Sequence, residues 1–555
     1  MKKIRKTRLL TSAMAAIMAA SMLPSAAFAV KVDSGYTPGT YVGAAQGYAG
    51  EVSVELTLAE SGGSVVISDI SATGAKESSG QWAKALTLLD KIKENNGTDG
   101  VDAVSGATRS SNGIIAATEA ALAKASASIS GSGTESDPYV ISSAAQLAAF
   151  AEAVDGGETY EGKYIELADD IDLSGIASWN PIGAEAGTAN IFNGVFDGCG
   201  HTISNLKINA AVTSGESNHG LFSTLGSAAV VKNLNVTNAD ISVENSGDKV
   251  RAGVIAGGTV KPATSAHGSI GTRIDSCSAT GKVSAVSTND KLTYAGGIFG
   301  TGEIGTAITN CWTDVDVKAV AKAVSNKNSM AGGIIGNSGN YAVIANCASF
   351  GDAYAASPSS TNFGGMAGGL VGMMAGKQYN CYATGNITVG NGGSAHTWVG
   401  VLDGEITSSG MTKDSSGNYT VYPAEGAFRL YNYYSSDSVL KVEVYENSGS
   451  SLKETITVSP VVDRGYSPTL GSVDKAMVSV AMSAADMGKA DFADTLSSHI
   501  SEINSVLAAY GISGIELREW QLDGGRVVPT GDVWTSGEID SSIFTSGDGS
   551  EENPY

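Results

Sequence analysis

Apolar and polar residues alternate strictly at the start of the patterned chain. Val52, Val54, Leu56 and Leu58 are interleaved with Ser53, Glu55 and Thr57, the period-two signature of a half-buried strand. Val65, Ile67 and Ile70 predict a second strand, reached through the turn Ser61-Gly62-Gly63-Ser64. The period then changes. Trp82, Leu86, Leu89 and Ile92 recur at helical spacing, and Asn95-Asn96-Gly97 predicts where that helix stops. A last helix is expected from about Ser110, with Ile114, Ile115, Thr118, Ala121 and Leu122 on its apolar side. Residues 36–126 therefore read as a small α+β unit.

The Ser/Gly-rich stretch 127–134 reads as a linker. Beyond it, Ala144 to Ala153 predicts a short helix and Tyr164 to Leu173 a strand. From Ile191 the sequence repeats itself. Ile274 to Cys277, Ile308 to Cys311, Ile344 to Cys347 and Gln378 to Cys381 align, their cysteines spaced by 34, 36 and 34 residues. Ile203 to Leu206 and Val231 to Leu234 read as earlier copies with Leu in the Cys position. A second series runs in step, Ala295 to Ile298, Ala331 to Ile334 and Ala367 to Leu370, spaced by 36. Short β-branched runs punctuated by Gly and Asn at a fixed period predict a mainly-β solenoid (β-helix) over 135–404, whose stacked rungs bury columns of apolar side chains. Over 405–535 the repeat is lost. Phe492, Leu496, Ile500, Ile503 and Leu507 mark a helix over Asp491–Tyr510, and this part is expected to form an α/β cap on the open end of the stack. The chain ends on Gly547–Tyr555, nearly a duplicate of Gly131–Tyr139, so 536–555 reads as the start of a truncated second module.

Cysteine chemistry depends on the repeat. A repeat of about 35 residues is expected to form two short rungs. That separates equivalent cysteines by twice the ~4.8 Å strand spacing, beyond the ~7 Å Cα limit of a disulfide, and favours free buried thiols. With one rung per repeat, thiols and bridges would be equally open. No C-x-x-C segment is present, which gives no support to zinc ribbons, thioredoxin-like sites or c-type haem attachment. The five histidines are scattered and read as structural.

Composition narrows the class. The chain has 71 Gly, 11 Pro, 42% hydrophobic and 16% charged residues, a balance that fits a turn-dense β protein better than disorder. A net charge of −22 argues against nucleic acid as a partner, which is bound through Lys and Arg. The basic residues Lys2, Lys3, Arg5, Lys6 and Arg8, an apolar run to Leu23 and the pattern Ala27-Phe28-Ala29 form an export signal over 1–29. The apolar run is too short for a comfortable span, and no later segment reaches about 18 uninterrupted apolar residues. The mature protein is expected to be exported, either extracellular or associated with the cell surface.

The candidate chemistry lies in residues 102–111. Ser105, Gly106, Ala107 and Thr108 are small and immediately precede a helix whose first turn contains Ser110 and Ser111. A helix start offers unpaired N–H donors and the positive end of the macrodipole, so it can seat a phosphate. Taken on the residues alone, the more common reading of such a segment is an ordinary N-cap in which Ser or Thr satisfies those donors.

The order Asp102-x-x-Ser105-Gly106-Ala107-Thr108-x-Ser110-Ser111 resembles the signature of the FMN-binding domain family. That domain occurs in the C subunit of sodium-pumping quinone reductase and in Gram-positive extracellular electron-transfer proteins. Gly39, Tyr41 and Gly43, then Gly47, Tyr48 and Gly50, then Glu77, and the helix through Ala125 match other family features. The resemblance implies FMN esterified through its phosphate to Thr108 by a flavin transferase that uses FAD and magnesium. Asp102, Ser105, Gly106 and Ala107 would form the recognition segment and phosphate cradle, with Ser110 and Ser111 beside it, and Gly47, Tyr48 and Glu77 would border the flavin. A family His before the Glu is absent, for Gly74-Ala75-Lys76 stand there. Residues 131–139, 192–200 and 218–222 resemble the leader and GLUG-type repeats of bacterial surface proteins, which imply a stalk or adhesive module without catalytic residues.

Together the two resemblances imply a non-catalytic electron carrier displayed at the surface of a Gram-positive bacterium. It would relay electrons from a quinone-linked or flavin-based membrane donor to an extracellular acceptor. The alternative is a structural or adhesive surface protein with the flavin domain as an accessory. Two patterns are read as decoys. Gly300, Gly302 and Gly305 match a dinucleotide fingerprint inside the repeat, where no helix follows. Asp169, Asp170 and Asp172 stand where an exposed strand face, rather than a calcium loop, is expected.

Overall fold

The computed structural model describes residues 31–530, apart from 33–35, 63, 184–189, 261–269, 290, 323–327, 359–363, 393–396, 407–410, 414–418, 422–428, 447–450, 459–478 and 510–511. The expected leader (1–29) and second module (536–555) lie outside the described residues. The chain divides into two compact units, with the boundary between Ile129 and Ser130.

In the first unit, β1 (Gly39–Gln46), β2 (Glu51–Ser61) and β3 (Ser64–Thr73) form an antiparallel sheet in that order. The alternation in β2 is realised residue by residue: Val52, Val54, Leu56 and Leu58 are buried while Glu51 and Glu55 are exposed. Each such aliphatic side chain contributes about 1.5–3 kcal/mol on burial. Ser61 pairs with Ser64 across the expected turn.

The helix expected around Trp82 is two helices, α1 (Ser79–Ala85) and α2 (Leu88–Asn95). The break has a local cause, because the Thr87 hydroxyl donates to the Lys84 carbonyl at 2.8 Å and its N–H bonds the same oxygen at 3.3 Å. Asn96 then closes α2 with φ +52°. Its side chain donates to the Val32 and Val65 carbonyls and accepts from the Ile67 N–H, which pins the helix end to β3.

The last helix, α3 (Thr108–Ala127), lies across β1 and β2 with Ile114, Ala117, Thr118, Ala121 and Leu122 buried. The approach is close: a Cβ at Gly43 would fall 2.0 Å from the Ala117 carbonyl oxygen, so no other residue fits there. The helix takes the first residue of the expected linker, and Ser130 bridges to Val140 at the start of the second unit.

The second unit is mainly β, with many parallel strands. After α4 (Ala144–Asp155), the expected strand 164–173 proves to be two, Tyr164–Leu167 and Ile171–Asp172, in different sheets. From Val195 the chain visits four parallel sheets in a fixed order, once per repeat. Val231, Ile274, Ile308, Ile344 and Gln378 pair directly from one repeat to the next, as do Ala252, Ala295, Ala331 and Ala367. Each repeat is therefore one layer, which corrects the expectation of two rungs. The cysteines consequently stand in adjacent layers, and the Cys277 N–H lies 3.4 Å from Cys311 Sγ. All five are nevertheless free thiols.

Ile203–Leu206 is not an earlier copy of this series. Ile203 pairs with Val236 in another sheet, and the partner of Val231 is Phe196. Two interior columns change character along the stack. One runs Phe196, Val231, Ile274, Ile308, Ile344 and ends in Gln378 and Arg429, and the other runs Phe299, Ile335, Val371 and ends in Asp403. Arg429 and Asp403, both fully buried, form an ion pair, and Gln378 bonds to both at 2.9 and 3.2 Å.

The helix expected over 491–510 is interrupted at His499, giving α6 (Ala490–Ser498) and α7 (Ile500–Ala509) after a short α5 (Ala484–Met487). The expected position over the open end is also corrected, because this segment and the hairpin Trp520–Asp523/Arg526–Pro529 pack alongside several layers. Asn310, Asn346 and Asn380, each at φ +52 to +58°, form a ladder that bonds the backbone of Glu516, Arg518 and Leu496. Phe492 and Leu496 pack with Ala348, Tyr382 and Tyr433, while Ile503 and Leu507 pack with Ala307, Val343 and Tyr379.

Candidate functional site

The candidate residues meet at the start of α3. Gly106 takes φ +77° and turns the chain so that Ala107 becomes the N-cap and Thr108 the first helical residue. No side chain caps this end, so the expected alternative of an ordinary Ser/Thr cap is not what forms. The first N–H groups are left with the positive end of the dipole and no side-chain acceptor. Asp102, Ser105, Gly106 and Thr108 are exposed, whereas Ala107, Ser110 and Ser111 are buried. The Ser111 hydroxyl accepts from the Val104 N–H at 3.2 Å, which ties the Ser105–Ala107 turn to its own helix.

Ser110 serves a different contact. Its hydroxyl donates to Glu77 Oε2, and Glu77 Oε1 accepts from the Ala49 N–H at 2.9 Å. The N–H groups of Tyr48 and Gly50 bear on the same carboxylate, so the Gly47–Gly50 loop forms an anion nest filled by Glu77. Partial burial pushes the Glu77 carboxyl up, but the Ser110 hydroxyl and the loop N–H groups outweigh it and hold it below its ordinary value.

Small residues make this junction possible. A Cβ at Gly47 would lie 2.7 Å from Glu77 Oε1, and one at Gly113 would lie 2.9 Å from Gly47 Cα. Gly47, Tyr48, Glu77 and Ser110 thus form one cluster, with Thr108 half a helical turn from Ser110. Tyr48 is 57% exposed. Glu77 is engaged through both oxygens with protein donors, so its demonstrable role is to join the loop to α3.

A pH prediction follows from the direction of the Glu77 shift. A carboxyl depressed in the folded state contributes stability above its unfolded value, about pH 4.3, and loses it as pH falls through the folded value. The first unit should therefore melt at progressively lower temperature in acid, and Glu77→Gln should flatten this slope. Parallel melting curves for the two proteins across that interval would contradict the assignment.

Two side chains of α1 near this site, Lys84 and Trp82, carry no sequence signal of a site role. A Cβ at Gly106 would lie 3.9 Å from Lys84 Nζ, and one at Gly74 would lie 3.0 Å from the Trp82 ring. Nothing in their spacing along α1 distinguishes them from an ordinary amphipathic helix.

The polar clusters of the second unit have local explanations. Asp170 accepts from the Thr202 N–H, and Asp172 accepts from Ser174 and Asn205. Glu166, Asp197 and Cys199 bring possible ligand atoms within 4.8 Å of one another, but Lys232 Nζ already sits 2.8 Å from Asp197. Burial, with Asp197 next, pushes the Cys199 thiol up to about 12, which disfavours the thiolate a metal needs. The Gly300–Gly305 string lies in a strand and turn with no helix after it.

The first unit is thus a small α/β unit in which a glycine turn leads into an uncapped helix with an exposed threonine at its first position. Residues 47–123 match the family model of the FMN-binding domain. The chain is 36% identical over 122 residues to a candidate Gly-rich membrane protein of Evansella cellulosilytica; the match covers 20% of this chain and 12% of that protein's length. Among solved structures, a candidate immunoglobulin A1 protease from Bacteroides ovatus superposes with a TM-score of 0.43 at 22% identity, covering 72% of this chain and 94% of that one. Among the described residues, no helix is long and apolar enough to cross a membrane.

Proposed function

We propose that the chain is an exported flavoprotein that carries FMN covalently on Thr108 and works as an electron carrier at the cell surface. One observation carries the reading: within the segment that matches the FMN-binding domain, Thr108 presents an exposed hydroxyl at the uncapped start of α3. The local residues fit a phosphate. The left-handed Gly106 opens the backbone, the helix start supplies donors, and Lys84 stands beside the turn.

In the proposed attachment, a flavin transferase uses FAD as donor. The Thr108 oxygen bonds to the FMN phosphorus, the pyrophosphate P–O bond breaks, AMP leaves, and the hydroxyl proton passes to solvent. The bound flavin supplies the redox chemistry, and the protein supplies tethering and orientation. The in-register parallel layers support reading the second unit as a β-solenoid, related to GLUG-type repeats, that holds this domain away from the cell. The donor is proposed to be a quinone-linked or flavin-based membrane system, and the acceptor an extracellular one.

Co-expression with a flavin transferase, followed by intact-mass measurement, tests the attachment. Wild type should gain the mass of one FMN less one water, and Thr108→Ala should gain nothing. An unshifted wild-type mass, or a shifted Thr108→Ala, would refute it.

A further inference from the structure

We infer that Lys84 is a positioning residue for the flavin phosphate, holding it against the start of α3. This rests on the proposed attachment at Thr108 and adds a residue from a separate helix. Three observations converge on it. First, Lys84 lies in the last turn of α1 and sends its ammonium to the Ser105–Thr108 turn, where a Cβ at Gly106 would be 3.9 Å from Nζ. A glycine there leaves that approach open. Second, the ammonium has no ion-pair or hydrogen-bond partner among the described residues, although the whole chain carries a net charge of −22. Third, α3 begins with no side-chain cap two residues after the glycine that the ammonium approaches, so the positive end of the helix carries no side-chain acceptor of its own. The nearby carboxylate that could have answered them, Glu77, is held instead by Ser110 and the Gly47–Gly50 loop.

The charge of the ligand fits. A phosphate esterified both to ribityl and to Thr108 keeps one ionised oxygen, a single negative charge at fixed distance from the helix start. A lysine is a flexible point charge with three donors, suited to a monoanion whose position is set by another bond. Arg109 is exposed on the same turn, but it follows Thr108 and no contact directs it to Gly106. Lys84 therefore supplies the counter-charge across the turn, both while the transferase presents the phosphate and after the ester has formed.

The test uses the full chain, co-expressed or incubated with a flavin transferase and FAD, as wild type and as Lys84→Arg, Lys84→Gln and Lys84→Glu. Attachment rate is read by intact mass at low and high salt, and flavin mobility by fluorescence anisotropy of the modified fraction. Loss of one charge-assisted contact should slow attachment about tenfold in Lys84→Gln, further in Lys84→Glu, and leave Lys84→Arg close to wild type. Salt should slow the wild type towards the Lys84→Gln rate, and anisotropy should fall in the Gln and Glu variants while the melting temperature stays unchanged. Equal rates and anisotropy in wild type, Gln and Glu variants would overturn the role of Lys84 while leaving the Thr108 ester intact. Equal loss in the Arg variant would overturn it too, by pointing to shape rather than charge. A wild type that never gains FMN would overturn both proposals together.

Discussion

Replacing Asn346 with alanine is expected to release the segment 484–530 from the parallel layers. The side chain is fully buried and makes four hydrogen bonds. It donates to Asn310 Oδ1 at 2.8 Å and to the Arg518 carbonyl at 2.7 Å, and accepts from Asn380 Nδ2 at 2.8 Å and Trp520 Nε1 at 2.5 Å. Alanine would orphan the two donors that point at it, each costing about 1–3 kcal/mol, and would hold a left-handed φ of +58° at a further 1–2 kcal/mol. A loss of at least about 3 kcal/mol is expected in the docking of this segment. The readouts are a red shift of Trp520 emission and new protease cuts within 484–530. Asn346→Gly separates the contributions, because it relieves the backbone and still removes the bonds. If Asn346→Ala keeps wild-type emission and protease resistance, the ladder is not what holds the segment.

The second large effect is expected at the buried ion pair. Arg429→Met should destabilise the second unit by about 3–5 kcal/mol, since it strands the buried Asp403 carboxylate with the Gln378 amide as its remaining side-chain donor among the described residues. The double variant Asp403→Leu/Arg429→Met should regain most of that loss, because a buried pair replaced by apolar groups of similar volume is often neutral or better. Equilibrium unfolding in denaturant measures both. A single variant as stable as wild type would mean that the carboxylate finds water or takes up a proton without penalty.

The pattern of residues made much of this visible beforehand. The strands β2 and β3 and the apolar stripe of α3 follow from periodicity, since nothing at those positions competes with it. The repeat in 274–381 was equally plain, because in-register pairing demands the same residue type at the same place in every layer. The number of layers per repeat was not visible. It depends on how many corners the chain turns within 34 to 36 residues, and those corners are set by Gly-Gly contacts such as Gly297 against Gly333. Helix interruptions at Thr87 and His499 were hidden for a related reason. Each stays within the apolar period; at Thr87 the interruption coincides with a hydroxyl bond to the Lys84 carbonyl, and at His499 with a ring stacked on Tyr431.

At the candidate site, Thr108, Ser110 and the glycine turn could be located from the motif. The engagement of Glu77 with the Gly47–Gly50 loop could not, nor the approach of Lys84 to Gly106. Both are contacts between segments some twenty to thirty residues apart, with no periodic signature. Similarly, the lateral docking of 484–530 rests on asparagines whose left-handed backbone reads in sequence as ordinary turn chemistry.

The two interior columns that turn polar at Gln378, Arg429 and Asp403 give the parallel stack a distinct end, spread over two successive layers. Every layer before it presents much the same interior to its neighbours, so the stack resembles a ruler with one finished end. Duplicating a single 36-residue unit upstream of Gln378 would lengthen that ruler by one strand spacing, about 4.8 Å, without new interior chemistry. On the proposed reading of the second unit as a spacer, reach would be a quantity that evolution, or an engineer, could adjust in steps of one layer.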